Sequence, residues 1–183
     1  MKKFAGLNNF SNQLIFLSFS IFNCINLVRI GGHMIKHQGG CHCGKVRLTT
    51  EYDPLLVYQC NCQRCRRLMS VVNVGTFFGA SEVEITGETK EYVTPGGSGL
   101  PFHYFFCPEC GTRICGEAEA IEGVRMIPIG VYDDPTPFAP KLEVFKEHKM
   151  KWIRDDGCIQ ASFEGMGLQE RIEAMMENLD QRQ

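Results

Sequence analysis

The sequence predicts an all-β domain that is held together by zinc and followed by a short C-terminal helix. Short segments rich in β-branched and aromatic residues recur from residue 45 onward and are separated by turn-forming residues, which is the pattern of a β domain. Most of the ten cysteines fall into three close clusters. A chain of 183 residues, 44% of them hydrophobic, can bury its own core, so the clustered cysteines point to bound metal rather than to a disulfide framework.

The predicted strands follow one another with short connections. They occupy residues 45–52, 71–78, 83–85, 92–93, 102–106, 124–131 and 142–145. A flexible loop is predicted at residues 95–99, and a rigid, proline-rich connection at residues 133–140. Apolar residues near the end recur at helical spacing, and they are Leu168, Ile172, Met175, Met176 and Leu179. This spacing predicts an amphipathic helix whose apolar stripe packs on the core.

The first 33 residues differ in composition from the rest of the chain. Lys2 and Lys3 precede an apolar stretch at residues 14–28, which resembles a secretory signal but is short for a membrane span. Met34 is an alternative start, and we favour it because it leads directly into the first cysteine pair. We therefore predict an extension or mis-assigned start at 1–33, a zinc domain at 34–166 and a helix at 167–183. This division predicts a cytoplasmic protein with no membrane span, secreted only if residues 1–33 act as a signal.

Two of the cysteine clusters are pairs that can share one metal ion. Cys41 and Cys43 form C-x-C, and Cys107 and Cys110 form C-x-x-C. Cysteines this close in sequence do not readily form disulfides with each other, whereas structural zinc takes four thiolates in a tetrahedron. We therefore predict a closed structural zinc site on these four residues. The alternative is a secreted disulfide domain, which would lose its fold under reductant and be indifferent to a chelator.

The middle cluster supplies three ligands from one short segment. Cys60, Cys62 and Cys65 form C-x-C-x-x-C, and three protein ligands with an open fourth position are typical of catalytic zinc. We predict a second, reactive zinc site there. The alternative is a closed site that is completed by Cys115, Cys158 or a histidine.

Arginines surround this middle cluster. Arg64, Arg66 and Arg67 could offset thiolate charge or hold a substrate carboxylate through paired hydrogen bonds, and the alternative is a solvated basic turn. Four histidines lack metal-ligand spacing of their own and are predicted to be surface or packed residues: His37, His42, His103 and His148. The net charge of -2 disfavours nucleic acid as a partner, because phosphate binding calls for a basic surface.

The order of these motifs is specific. Gly40-Cys41-His42-Cys43-Gly44 comes first, C-x-C-x-x-C-R starts at Cys60, and Phe106-Cys107-Pro108-Glu109-Cys110-Gly111-Thr112 comes late. Together with Gly130-Val131-Tyr132-Asp133-Asp134-Pro135, Trp152 and residues 160–165, this order resembles the glutathione-dependent formaldehyde-activating enzyme family, also called the GFA or CENP-V-type domain. The resemblance covers nearly all of residues 36–165.

The resemblance implies a Mss4-like fold of packed β sheets and two zinc ions per chain. It implies a structural zinc on Cys41, Cys43, Cys107 and Cys110, and a second one on Cys60, Cys62 and Cys65. It also implies a carbon-sulfur lyase that joins the glutathione thiol to formaldehyde. The leading hypothesis is thus an enzyme that acts on a small thiol and a small carbonyl compound. The alternative is a non-enzymatic zinc module that presents a surface to protein or nucleic acid, and the oligomeric state is left open.

Two residues depart from the family pattern. Asn61 stands between the first two cysteines of the middle cluster, where the family commonly has histidine, so proton handling is expected to differ. Cys115 stands where members often have an apolar or aromatic residue, and it is a candidate for an additional thiol near the structural site. Both departures bear on the choice of substrate.

Overall fold

The computed structural model describes residues 28–30, 33–154, 157–179 and 182. Most of the predicted N-terminal extension lies outside these residues. The strands are, in chain order, β1 (Val28–Ile30), β2 (His33–Ile35), β3 (His37–Gly40), β4 (Arg47–Thr50), β5 (Leu56–Cys60), β6 (Asn73–Gly79), β7 (Val83–Thr86), β8 (Lys90–Pro95), β9 (Pro101–Phe106), β10 (Arg113–Ala118), β11 (Val124–Pro128), β12 (Leu142–Val144) and β13 (Ala161–Ser162). The helices are α1 (Gln63–Met69) and α2 (Leu168–Leu179), with 3-10 turns at Ala80–Glu82, Glu119–Ile121, Ile129–Val131 and Lys146–His148.

These strands form two main sheets, which confirms the prediction of a mainly β domain. The larger sheet has the order β13-β12-β5-β6-β11-β10-β9-β8, and the smaller one has the order β3-β4-β7. Pairing is antiparallel except at β12, which runs parallel to both β5 and β13. Strands β1 and β2 form a separate hairpin. The two chain segments that carry cysteine pairs, after β3 and after β9, are thereby brought to one place.

Strand β5 was missed in the sequence because it does not alternate between polar and apolar residues. All five of its positions are buried, because Val57 packs in one apolar core cluster while Leu56, Tyr58 and Cys60 pack in another. A strand covered on both faces has no solvent side to mark with polar residues. Its last residue, Cys60, is the first cysteine of the middle cluster, so the position of this strand determines where that cluster lies in the fold.

The core divides into two clusters of apolar side chains, one beneath each group of cysteines. The first contains Cys41 and Cys107 together with residues such as Leu48, Phe78 and Ile127. The second has Cys60 among its buried members, and Cys62 and Cys65 pack against it. Its other buried members include Leu56, Tyr58, Phe77, Met126, Val144 and Met175. Each group of cysteines is therefore anchored in packed side chains rather than on a loop alone.

Helix α2 confirms the predicted C-terminal helix but buries a narrower stripe than expected. Met175 is buried, whereas Met176 and Leu179 are exposed. Neighbouring residues of a helix point about 100° apart, so Met176 cannot share the face of Met175. The end of the helix is held by Asn178, whose amide donates to the carbonyl oxygens of Pro54 and Leu55 at 3.1 and 2.8 Å. Within the described residues, neither helix is long and apolar enough to cross a membrane.

Candidate metal centres and the adjoining cavity

Four cysteines from two distant turns meet at the edge of the first core cluster. Cys41 and Cys43 follow β3, and Cys107 and Cys110 lie between β9 and β10. Their four Sγ atoms all lie within 4.8 Å of one another, with 3.4 Å between Cys41 and Cys43 and 3.7 Å between Cys43 and Cys107. The predicted pairing of C-x-C with C-x-x-C is thus the one that the fold brings together.

The spacing of these sulfurs fits zinc. Tetrahedral zinc with bonds of about 2.3 Å to sulfur separates its ligands by about 3.8 Å. The turn that carries the C-x-x-C pair is closed by the amide of Gly111, which donates to the carbonyl oxygen of Cys107 at 3.0 Å. Gly111 has a φ of +71°, a conformation that glycine adopts without the steric cost of a side chain. The glycine after C-x-x-C is therefore part of the ligand geometry.

Hydrogen bonds to sulfur favour the thiolate form of two of these cysteines, Cys41 and Cys110, whose pKa values they lower. The amide of Val46 donates to Cys41 Sγ at 3.2 Å. Thr112 Oγ1 lies 3.2 Å from Cys110 Sγ, and this hydroxyl, together with backbone N–H groups, lowers the pKa of Cys110 to about 5. Thr112 also accepts a bond from the amide of His42 at 3.2 Å. It thus ties the two cysteine turns together while stabilising a charged ligand.

The middle cysteine cluster, Cys60, Cys62 and Cys65, lies where β5 ends and α1 begins. Cys60 ends the strand, Cys62 is the N-cap of the helix, and Cys65 lies in its first turn. The amide of Cys65 donates to Cys62 Sγ at 3.4 Å, and the three Sγ atoms lie within 4.8 Å of one another. Helix α1 was not predicted from the sequence, because at seven residues it is too short to show a clear helical periodicity.

No fourth cysteine, histidine or carboxylate joins this group within the part of the chain that the structure describes. The three thiols interact strongly with one another. Hydrogen bonds from Cys60 and Cys65 hold the pKa of Cys62 far below its ordinary value, and the same bond from Cys60 to Cys62 raises the pKa of Cys60. A cluster that already concentrates negative charge on one sulfur is suited to receive a soft divalent cation.

Asn61 turns away from the three sulfurs. It is 2% exposed, and its side-chain amide donates to Glu143 Oε1 at 2.9 Å and to the carbonyl oxygen of Val144 at 3.3 Å. Gln59 donates to the same carboxylate oxygen at 2.7 Å, and Lys149 Nζ lies 2.9 Å from it. The structure therefore gives Asn61 a positioning contact beneath the ligand loop.

A cavity of about 280 Å³ opens beside the middle cysteine cluster. Its walls include the three cysteines and an apolar lining of Phe102, Ala118, Ile121, Met126, Phe145 and Met166. Of the three arginines that the sequence singled out, Arg64 lines this cavity, whereas Arg66 and Arg67 are not among its lining residues. Adjacent positions on α1 point in different directions, which separates Arg64 from the other two.

Three cationic or titratable side chains at this cavity were missed in the sequence. Arg113 comes from β10, Arg171 from α2, and His148 from the 3-10 turn after β12. Arg113 is 5% exposed and Arg171 is 9% exposed. One local signal was present for Arg113, since it is a charged residue directly before the apolar pair Ile114 and Cys115. Arg171 and His148 reach the cavity only through tertiary packing.

The other cysteines and histidines that the structure describes are not part of either cysteine cluster. Cys115 is buried in the first core cluster, where burial raises the pKa of its thiol to about 12, and neither it nor Cys158 belongs to a metal-binding group of the described residues. His37 pairs with Asp53, and His103 lies between Glu91 and Glu119, as their predicted surface or packing roles require. His42 is exposed. The structure thus does not use Cys115 to close either cluster.

The chain is similar to known proteins in two comparisons. The family model of the glutathione-dependent formaldehyde-activating enzyme matches residues 36–148, more than half of the chain. Among solved structures, a crystal structure of a Rhodobacter sphaeroides protein is similar at 14% identity and a TM-score of 0.43, covering 69% of this chain and 98% of that chain. The matched region contains all seven clustered cysteines. The chain belongs to the glutathione-dependent formaldehyde-activating enzyme family.

Proposed function

We propose that the protein is a zinc-dependent carbon-sulfur lyase that adds a small thiol such as glutathione to formaldehyde or a related carbonyl compound, or catalyses the reverse cleavage. The observation that supports this proposal is the position of the three-cysteine cluster, which has three convergent sulfurs and opens on a largely apolar cavity. Three protein ligands leave a metal ion able to accept an exogenous ligand. The thiolate-rich sites fit a reducing compartment such as the cytoplasm.

The two clusters would hold two zinc ions with different roles. Cys41, Cys43, Cys107 and Cys110 would bind a structural ion, and Cys60, Cys62 and Cys65 would bind the ion at the cavity. When bound there, zinc supplies positive charge that favours the thiolate form of an incoming thiol. In the reaction a carbon-sulfur bond forms, the carbonyl double bond becomes a single bond, and the thiol proton ends on the new hydroxyl group.

Residues of the chain itself would organise this reaction. Arg64 lines the cavity and would attract the anionic thiol. His148 also lines it, and an imidazole is the side chain best suited to carry a proton at neutral pH. The His148 ring stacks against Phe145 with a centroid distance of 6.5 Å, which limits its orientation. The apolar part of the lining would help to exclude water, so that the thiol meets the carbonyl carbon rather than solvent.

The test is metal content by elemental analysis, with glutathione binding measured by calorimetry on the same samples. Wild-type protein is expected to contain two zinc ions and to bind glutathione. Cys62→Ser should lose one zinc ion together with glutathione binding, whereas the matched variant Cys158→Ser should keep both. Fewer than two zinc ions in wild type, or unchanged glutathione binding in Cys62→Ser, would refute the proposal.

An enzymatic assay completes the test, and its blank must be measured with care because thiols add to formaldehyde unaided. Rates with the Cys62→Ser variant at equal protein concentration supply that blank. A protein with two zinc ions that neither binds thiols nor exceeds the blank would favour the alternative, a non-enzymatic zinc module that presents a surface to other macromolecules.

A further inference from the structure

The cavity beside the three cysteines has an unbalanced charge. Among the residues that the structure describes, three guanidinium groups line it, those of Arg64, Arg113 and Arg171, and no aspartate or glutamate does. Arginine stays protonated in proteins. A zinc ion held by three thiolates would carry only about one net negative charge. The loaded cavity would therefore remain cationic, and its occupant is expected to bring negative charge.

Arg113 is the arginine of this cavity that has buried N–H groups without a partner among the described residues. Its side chain is 5% exposed, yet its Nε and Nη1 atoms have no hydrogen-bond partner among the described residues. Its Cζ lies 4.7 Å from the centre of the Tyr104 ring, a cation–π contact that holds the guanidinium plane but takes up none of its N–H groups. Unpaired buried N–H groups are costly, and a ligand that accepts hydrogen bonds would remove that cost.

Arg171 is more fully engaged. Its Nε donates to the carbonyl oxygen of Gly167 at 3.3 Å, which fixes the side chain along its own helix. Arg64 is half-buried and stands at the cavity wall beside the cysteines. These two arginines supply positive charge to the cavity, whereas Arg113 offers the unpaired donors.

We propose that Arg113 is the anion-recognition residue of this cavity and that it binds a carboxylate group of the thiol substrate. A guanidinium group matches a carboxylate through two parallel N–H···O bonds. Apolar neighbours such as Phe102 and Met126 lower the local dielectric and strengthen that pairing. The inference rests on the proposed function for its thiol partner, and what it adds is the residue that selects thiols carrying a carboxylate, glutathione among them.

The test compares two thiols of similar size on zinc-loaded protein by calorimetry. One is 3-mercaptopropionate, which carries a carboxylate, and the other is 2-mercaptoethanol, which does not. Wild-type protein is expected to bind 3-mercaptopropionate about 10- to 100-fold more tightly, as for a charged hydrogen-bonded pair. Arg113→Met should remove this preference and leave the affinity for 2-mercaptoethanol unchanged. If Arg113→Met does not retain zinc, Arg113→Gln makes the same comparison with a neutral polar side chain.

Two further arms keep the inference separate from the lyase proposal. Arg67→Met changes an exposed arginine of α1 that does not line the cavity and should keep the preference. If Arg67→Met loses it and the Arg113 variants do not, the assignment to Arg113 is wrong. Propionate serves as a probe without a thiol. Weaker propionate binding in Arg113→Met, with no thiol binding in any protein, would uphold the anion site and refute the lyase. If wild-type protein bound both thiols equally well, the proposal that Arg113 recognises a carboxylate would be wrong, whereas the proposed lyase activity would be unaffected.

Discussion

The buried pair of Glu143 and Lys149 gives the sharpest prediction about stability. Glu143 is 1% exposed and lies 2.9 Å from Lys149 Nζ, which is itself 17% exposed. The same carboxylate accepts bonds from Gln59 and Asn61, and its other oxygen accepts one from Ser162 at 3.2 Å. Asn61 stands between two cysteines of the second cluster, so this network supports the metal-binding loop from beneath.

The two single substitutions are expected to have unequal costs. Lys149→Met leaves a buried carboxylate without its cation, and removing one partner of such a pair typically costs 3–5 kcal/mol. Three neutral donors remain around Glu143, so we expect about 2–4 kcal/mol. Glu143→Gln keeps an acceptor oxygen for Gln59 and Asn61 and leaves Lys149 able to reach water. We expect it to cost about 1–2 kcal/mol.

The assay is urea unfolding of both single variants and the double variant at one fixed concentration of free zinc, because bound metal adds to apparent stability. In the double variant, Lys149→Met no longer leaves a buried carboxylate unpaired. The free energy of unfolding lost in the double variant should therefore be smaller than the sum of the two single losses by about 1–2 kcal/mol. Additive costs, or a loss below about 1 kcal/mol in Lys149→Met, would refute the claim that the pair is coupled.

The pH dependence of the same pair has a definite sign. Burial alone raises the pKa of Glu143, but the bonds from Lys149 and Asn61 outweigh it and hold the pKa below its ordinary value. A carboxylate with a lowered pKa adds stability above its unfolded pKa and loses that contribution as the pH falls through its folded pKa. The stability difference between wild type and Glu143→Gln should be complete above about pH 5 and shrink below about pH 4.

Three other predictions follow from single contacts. Thr112→Val removes the hydroxyl beside Cys110 and should weaken metal binding at the four-cysteine site about 10- to 100-fold, measured by chelator competition. Cys115→Ala should keep the full zinc content and cost about 1–2 kcal/mol in urea unfolding, because the thiol fills core space and holds no metal; a lost zinc ion would contradict this. Gly39→Ala would drive a methyl group into the carbonyl oxygen of Val131 and should cost about 1–3 kcal/mol, and an unchanged unfolding midpoint would show that the backbone there yields.

The cysteine sites could be predicted because chelation requires cysteines at a short, characteristic spacing in the sequence. Cys60, Cys62 and Cys65 must converge from one short segment, and this forces a fixed spacing whatever the fold around them. The pairing of Cys41 and Cys43 with the later C-x-x-C was also predictable, since two ligands from each turn complete one tetrahedron. Strands such as β6 and β9 were equally visible, because β-branched and aromatic residues mark them.

The cavity could not be predicted, because its walls come from distant parts of the chain. Arg113, His148 and Arg171 lie on three different elements, and none has a spacing that relates it to the middle cluster. The arginines next to the cysteines in sequence were the visible candidates, and only Arg64 faces the cavity. The hydrogen bond of Asn61 to Glu143 could not be predicted for a related reason, since the two residues lie 82 positions apart in the chain.

Arg113 allows function and stability to be separated in one variant. Its buried Nε and Nη1 atoms, which have no partner among the described residues, should each cost about 1–3 kcal/mol, whereas its stacking on Tyr104 returns about 0.5–2 kcal/mol. An apolar replacement of similar length should therefore leave the protein equally stable or more stable, as for other buried charges replaced by apolar groups.

We accordingly expect Arg113→Met to keep or raise the urea unfolding midpoint while it loses the preference for carboxylate-bearing thiols. Tyr104→Leu is the matched control, since it removes the ring and leaves the cation in place, and it should lower the midpoint. Residues retained at a cost to stability are typical of functional sites. If Arg113→Met instead lowered the free energy of unfolding by more than about 2 kcal/mol, the guanidinium would be a structural group whose charge is balanced by a zinc-thiolate cluster. The unpaired N–H groups would then give no reason to assign Arg113 a ligand.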